Sequence, residues 1–365
     1  MEIRILHIDD DKEIRDTICK VLTDEEIGGY KVANVESADF GEGIEKLKNN
    51  DFDVVILDLC EGALDPKSEK AGENLLKEIQ AYCFVPIIFF TGLTEYVLDK
   101  ETDLIRVVNK NKGIEELQNS IDRVLKTMFV DLRKRVDSFT REAVRTFFWD
   151  FIHPEYDNLV GIKDEVSLGY LLLRNLANSL SKDRIKELLG DEKIIPGKAH
   201  AMEMYLYPLA KEGDFELGQI LIKEKEYFLI LTPSCDLVPR GNKGPKADFV
   251  LLVKLSPLER SEEYKKYKSD PSSKSAEKGL KRLLESRKAD QFFFLPQTPF
   301  VPHLLADFQK KTVVPFSELG NLYRKVACLD SPFAESVLAR FVRYYNRVGT
   351  PDLDSDAIIS SLILE

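Results

Sequence analysis

Several things are missing from this sequence, and each absence removes a class of protein. The five cysteines, Cys19, Cys60, Cys83, Cys235 and Cys328, contain no CxxC pair. An odd, dispersed set supplies no disulfide framework and suits a reducing compartment, and a zinc site would have to be assembled from distant residues. No apolar run approaches the roughly 18 to 20 residues that a membrane helix needs. A basic excess is also lacking: 52 Lys and Arg stand against 63 Asp and Glu, a formal net charge of −11. That balance argues against broad binding to nucleic acid or anionic membranes, leaving room only for a local basic patch. The opening "MEIRILHIDDDKE" is a strand followed by acids, with no basic region leading into a signal sequence. The expectation is a cytoplasmic protein.

What is present is length and pattern. The 365 residues suffice for two or three domains, with the composition of an ordinary globular chain. Over the first 128 residues, apolar runs alternate with helical spacing. "IRILHI" (3–8), "YKVANV" (30–35), "DVVILDL" (53–59), "VPIIFF" (85–90) and "LIRVVNK" (104–110) read as strands. Helices are expected over 12–22, 40–50, near 72–82, near 95–100, and from about Ile114. Five strands alternating with five helices predict a parallel sheet covered on both faces.

In such sheets ligands gather at the carboxyl ends of the strands. Asp9 and Asp10 follow the first strand and Asp58 ends the third. Thr91 ends the fourth and Lys110 the fifth. Any one of these has a plain explanation as a helix cap or a turn. Together they put three acids, a hydroxyl and a lysine on one edge.

The segments "ILHIDDD" (5–11), "VVILDL" (54–59), "PIIFFTG" (86–92) and "VVNKNKGIEEL" (107–117) resemble the receiver domain of two-component response regulators. The resemblance implies a flavodoxin-like fold, a five-stranded parallel sheet of order 2-1-3-4-5. It also implies a phosphoryl group passing to Asp58 from the phosphohistidine of a histidine kinase or phosphotransfer protein. In such a site Asp10, Asp58 and the backbone carbonyl of Cys60 would contact Mg²⁺, with Asp9 acting through water. Lys110 would neutralise phosphoryl oxygens and Thr91 would donate a hydrogen bond to one of them.

Hard oxygen ligands suit Mg²⁺, and a cation offsets the cost of clustered carboxylates. The chain also departs from the family. Asn111 replaces the proline that usually follows the lysine and holds its peptide cis. A second lysine, Lys112, competes with Lys110 for the lysine role, though the spacing to Glu116-Leu117 selects Lys110. Val107 stands where the family carries a reporting aromatic, and "LCEGALDPKSEKAG" (59–72) is longer than usual.

Apolar positions continue at Leu117, Ile121, Val124, Met128, Leu132, Val136 and Phe139, with no Pro or Gly between Ile114 and Pro154. The spacing predicts that the last receiver helix runs on into a long connecting helix. That helix would either dimerise or carry a signal, or else pack on the next domain. Residues 164–190 read as a further helical stretch stopped by Gly190.

Beyond residue 195 short strands dominate: 215–223, 226–232, 248–255 and 291–296, with "TVVPF" and "RKVACL" adding two more. These suggest a small barrel or curled antiparallel sheet. An amphipathic helix is expected over 332–351, closed by Gly349 and Pro351. Cys235 in "LILTPSCDLVPRGNKG" (229–244) could serve as a nucleophile or metal ligand with His200 or His303. Its plainer role is a small residue at a strand end, beside the turn acid Asp236. Lys265, Lys266, Lys281, Arg282, Arg287 and Lys288, with Tyr264 and Tyr267, could contact nucleic acid. The interleaved Glu residues favour a solvated loop and helix, and no helix-turn-helix is visible.

The expected organisation is a receiver domain (1–128), a helical connector (129–195) and a mixed α+β C-terminal domain (196–365). The expected role is a response-regulator-type signalling protein rather than a metabolic enzyme, with catalysis confined to the receiver's own phosphorylation. Two alternatives remain: a phosphate sink or decoy, as in certain phage-defence two-component systems, and a receiver-gated enzyme using Cys235.

Overall fold

The structure, a computed structural model, describes the chain apart from residues 1, 24, 60–68, 157–164, 181, 191–197, 210–213, 240–243, 288–289, 347–352 and 363–365. It forms two compact units, Met1–Glu192 and Lys193–Glu365. The connector expected over residues 129–195 belongs to the first unit as far as Glu192.

The first unit is built on β1 (Glu2–Ile8), β2 (Glu26–Ile27), β3 (Tyr30–Ser37), β4 (Val54–Leu57), β5 (Ile87–Thr91) and β6 (Ile105–Asn109). Their order is β2-β3-β1-β4-β5-β6. The expectation of five parallel strands needs correction. Five are parallel in the order foreseen, but β2 joins β3 antiparallel at the edge. The cause is Gly28-Gly29, whose φ values of 61° and 83° allow the left-handed two-residue turn that closes a hairpin.

Alternation along the strands supplies two apolar faces. Ile3 and Ile5 of β1, with Val54 and Ile56 of β4, pack under α1 (Lys12–Leu22) and α4 (Ile114–Lys126). Leu6 and Ile8, with Val55 and Leu57, pack under α2 (Phe40–Asn49) and α3 (Glu69–Tyr82). β4 is therefore buried at every position, as a strand covered on both sides should be. On α4 the buried residues Leu117, Ile121, Val124 and Leu125 recur at helical spacing, each worth about 1.5–3 kcal/mol of transfer energy. α2 approaches β1 closely, since a Cβ on Gly43 would stand 2.5 Å from Ile8 Cδ1.

Two helical expectations change. Between β5 and β6 the chain makes only two 3-10 turns, Thr94–Tyr96 and Leu98–Lys100, where a short helix was expected. The long connecting helix is also interrupted. α4 stops at Lys126, Met128 adopts φ 64°, and α5 begins afresh as Phe129–Thr146. Thr127 Oγ1 donates to Val124 O (2.6 Å), a local bond that competes with the helical ladder. Of the apolar stripe read through this region, Val124 and Phe139 are buried while Met128, Leu132 and Val136 are exposed.

The break lets α5 return along the amino-terminal edge of the sheet. Asp53, buried just before β4, accepts from Arg4 N (2.8 Å) and Arg133 Nη2 (2.7 Å) and pairs with Lys134 Nζ (2.9 Å). Arg141 pairs with Asp51, Lys134 donates to Glu2 O (2.7 Å), and Tyr30 Oη donates to Asp131 (2.6 Å). α5 continues into a π-helical turn, Phe147–Ile152, and meets α6 (Glu165–Ser179) and α7 (Lys182–Leu189). The single helical stretch expected over 164–190 is thus two helices, and Gly190 follows the second with φ 61°.

The second unit holds a seven-stranded antiparallel sheet, a half-barrel. Its strands are β7 (Tyr205–Leu206), β8 (Gln219–Lys223), β9 (Glu226–Ile230), β10 (Phe249–Pro257), β11 (Phe292–Leu295), β12 (Leu304–Pro315) and β13 (Arg324–Leu329), in the order β11-β12-β10-β9-β8-β13-β7. The first four residues of "TVVPF" prove to be the end of the 12-residue strand β12, and Phe316 opens the next helix. One face packs Ile220, Leu229, Val253 and Phe308 with Val337 of the helix Phe333–Tyr345. The other packs Leu221, Ile230, Leu252 and Leu319. Gly349 and Pro351, expected to close that helix, lie outside the described residues. The charged segment forms helices Glu262–Ser269 and Lys274–Leu284, with Lys265 paired to Glu262 and Lys281 to Glu277. No described helix is long and apolar enough to cross a membrane.

Replacing Asp53 with Ala removes the nearest anion from Arg133 and leaves it Asp137, at 4.0 Å. The expected cost is about 2 kcal/mol, below that of a fully buried pair because Lys134 is one-third exposed. Hydrogen exchange should show residues 129–146 losing protection ahead of the sheet; unchanged protection there would refute the docking role.

Candidate functional site

Each candidate side chain is carried to one edge by the strand that precedes it. β1 delivers Asp9 and Asp10, β4 delivers Asp58, β5 ends in Thr91, and Lys110 follows β6. Asp9, Asp58 and Thr91 are buried, whereas Asp10 is exposed. The carboxylates of Asp9, Asp10 and Asp58 offer oxygen atoms that all lie within 4.8 Å of one another. Lys110 Nζ stands 2.7 Å from Asp58 Oδ2 and 2.8 Å from Asp9 Oδ2. Between Lys110 and Lys112, geometry assigns the contact to Lys110.

The remaining oxygens are held by the backbone. Asp58 Oδ1 accepts from Leu59 N (2.7 Å) and Asp9 Oδ1 from Asp11 N (2.9 Å). Asp11 caps α1 by accepting from Glu13 N and Ile14 N, so the helix begins at the rim of the site. Thr91 Oγ1 accepts from Leu93 N (3.2 Å), which leaves its O–H available as a donor. Cys60, expected to offer its carbonyl, lies outside the described residues.

Two residues that sequence reasoning passed over bear on Asp9. Arg15 Nη1 donates to its carbonyl oxygen (2.6 Å), one helical turn beyond the cap. His7 is fully buried on β1, its Nε2 3.8 Å from Asp9 Oδ2. Its place two residues before Asp9, on the same strand face, was the available signal.

Burial pushes the Asp9 carboxyl up, but His7 and Lys110 beside it prevail and hold it below the ordinary 3.8. His7 is beyond hydrogen-bond reach, so Lys110 at 2.8 Å carries most of this lowering. For Lys110, burial favours the neutral amine, yet hydrogen bonds and charge from Asp58 and Asp9 outweigh it and raise its pKa above 10.5.

A set of carboxylate oxygens on three residues suits a hard divalent cation, which prefers oxygen and tolerates carboxylates on one side. The residues present therefore fit Mg²⁺.

In the second unit Cys235 is exposed on a short turn of helix, Ser234–Leu237, its Sγ 3.7 Å from Asp236 Oδ1. His200 Nδ1 accepts from Met202 N and His303 Nδ1 from Gln297 N, so each ring serves a local turn. Cys328 is a buried strand residue whose thiol burial pushes up to about 12.

These features define a receiver-like flavodoxin fold in the first third of the chain, with an acidic cluster at the carboxyl edge of its sheet. Solved structures similar to this third include receiver domains. The Francisella response regulator 1452 receiver domain is 22% identical, covers 34% of this chain and 99% of its own, and has a TM-score of 0.28. Response regulator TrrA from Thermotoga maritima, solved in complex with Mg(2+)-BeF, is 25% identical, covers 34% and 99%, and has a TM-score of 0.27. A CheY-like receiver domain protein from Methanospirillum hungatei JF-1 is 26% identical, covers 35% and 99%, and has a TM-score of 0.26. No family model matches the chain, and no curated protein matches it significantly.

The linkage of stability to pH follows from the two shifts. Asp9 is lowered, so its contribution is present above pH 3.8 and is lost as the pH falls through its folded-state value. Lys110 is raised, so its contribution is present below pH 10.5 and is lost as the pH rises through its folded-state value. Lys110→Met should move the Asp9 titration upward, read by carbon-13 NMR of the carboxyl; an Asp9 titration that stays put would show that Lys110 is not its dominant partner.

Proposed function

We propose that Asp58 accepts a phosphoryl group from the phosphohistidine of a histidine kinase or phosphotransfer protein. The observation that carries this reading is Lys110 Nζ, set between Asp58 and Asp9 at the carboxyl ends of parallel strands. An Asp58 oxygen lone pair attacks phosphorus and forms an O–P bond. The P–N bond to the donor imidazole breaks, and the imidazole nitrogen keeps that electron pair and is reprotonated. Charge spreads over the equatorial phosphoryl oxygens during the transfer, so catalysis is positioning and charge neutralisation.

Lys110 supplies an ammonium to those oxygens, and the Thr91 hydroxyl donates to one of them. Asp10 and Asp58 would hold Mg²⁺ directly and Asp9 through water; bound there, the ion would offset repulsion between carboxylate and phosphoryl oxygens. The second unit receives the signal in this reading, which makes the protein a cytoplasmic response regulator.

A second reading, a phosphate sink, is favoured by what surrounds the site. Val107 is an aliphatic residue packed partly buried against the α2/α3 face, and only 3-10 turns link β5 to β6. The ring that reports phosphorylation in the family resembled has no counterpart at this position.

With acetyl phosphate or a phosphorylated kinase and Mg²⁺, the protein should acquire an alkali-labile acyl phosphate, and Asp58→Asn should abolish it. Labelling that persists in Asp58→Asn would sink the assignment. Beryllofluoride distinguishes the readings. Hydrogen-exchange changes confined to the loops at the carboxyl edge favour a sink, and changes that spread into residues 129–146 favour a switch.

A further inference from the structure

We infer that Asn109 is a positioning residue for Lys110: its side chain caps the turn that aims the ammonium at Asp9 and Asp58. The inference deepens the phosphoacceptor reading and rests on it for its link to chemistry, though its geometric part stands alone.

Lys110 does not lie within a strand. It opens a 3-10 turn, Lys110–Lys112, that leaves β6 and hands the chain to α4. Asn111, Lys112 and Gly113 are all exposed, so side-chain burial does not fix this turn. Asn109 Oδ1 accepts from Asn111 N at 2.9 Å, the short side-chain-to-backbone bond with which asparagine mimics a turn. The far end is set by Gly113 N donating to Lys110 O (3.3 Å) and by Gly113 at φ 82°, a conformation that favours glycine.

Asn109 itself is anchored. It pairs in parallel register with Thr91 at the end of β5, so the residue that sets the lysine's direction is fixed to the strand that carries the hydroxyl. The substitution that looks like a loss in the sequence is the other half of this device. Proline at 111 would have no N–H to give, whereas Asn111 supplies the donor that Asn109 needs. From that turn the Lys110 side chain reaches both carboxylates, at 2.7 and 2.8 Å.

The test uses the full chain with Asn109→Ala, Asn109→Ser, Asn109→Asp and Asn109→Gln. Ser and Asp keep an acceptor at the right reach, Ala has none, and Gln carries it one methylene too far. The first readout needs no phosphodonor. Amine acylation by a succinimidyl ester is followed by peptide mass spectrometry, taking the ratio of Lys110 to its exposed neighbour Lys112. In Asn109→Ala and Asn109→Gln the ratio should rise several-fold as Lys110 leaves its carboxylates, and in Ser and Asp it should return toward the wild-type value.

The second readout is the rate of Asp58 phosphorylation by acetyl phosphate with Mg²⁺. It should fall ~10- to 100-fold in Ala and recover largely in Ser. A cap that only stabilises the fold would lower the melting temperature while leaving both readouts unchanged, and that result overturns the inference. If Asn109→Ala does not fold, the Gln and Ser pair decides: equal acylation ratios in the two would also overturn it. If the wild type takes no phosphoryl group, the acylation ratios still decide the positioning role while the phosphoacceptor reading fails by itself.

Discussion

Two buried acids on adjacent strands face one ammonium, and the carboxyl edge of the first unit is organised around that contact. Asp9 and Asp58 present oxygens within 4.8 Å of each other. At the effective dielectric found inside proteins, two such charges repel by about 3–4 kcal/mol. Lys110, reaching both from a third element, turns this repulsion into attraction. The backbone N–H groups of Leu59 and Asp11 hold the remaining oxygens, so each carboxylate has a set orientation. An edge built in this way holds the Asp58 carboxylate in one orientation, between a backbone N–H and an ammonium.

The opposite end of β4 is governed by the same physics with a different outcome. Asp53 and Asp58 bracket the strand, roughly 16 Å apart at the rise of a β-strand. Asp58 meets a lysine on a turn, and Asp53 meets Arg133 and Lys134 on α5. The second cluster fixes a helix in place. Because α5 lies along the amino-terminal edge, the connector leaves the opposite side of the sheet from the acidic cluster.

The second unit solves its own packing problem. Its strands alternate between two apolar clusters, so neighbours such as Ile220 and Leu221 point to opposite layers. Helix Phe333–Tyr345 adds Val337 and Tyr344 to one layer, and the short helix Phe316–Leu322 adds Leu319 to the other. The thiol of Cys235 lies at the surface beside Asp236, away from both layers.

Periodicity alone located the five parallel strands, because a strand buried on both faces must be apolar at every position, as in Val54–Leu57. It also put Asp9, Asp10, Asp58, Thr91 and Lys110 on one edge, since parallel strands share a carboxyl end. The hairpin at Gly28-Gly29 was written in the sequence too, but its two-residue strand is too short to show a period. Other features belonged to the tertiary structure. The break at Met128 has no proline or glycine to mark it, because the two helices it separates keep the same apolar spacing. The break is stabilised by the docking of α5 on Asp53, an ion-pair cluster between residues some 80 positions apart. The spacing to Glu116-Leu117 already pointed to Lys110 over Lys112, but its approach to Asp58 and Asp9 exists only once β1, β4 and β6 lie in one sheet. In that turn Lys110 is half-buried against the acids while Lys112 is exposed, because the hydrogen bond from Asn111 N to Asn109 and the register of β6 beside β5 join segments that the sequence does not show together.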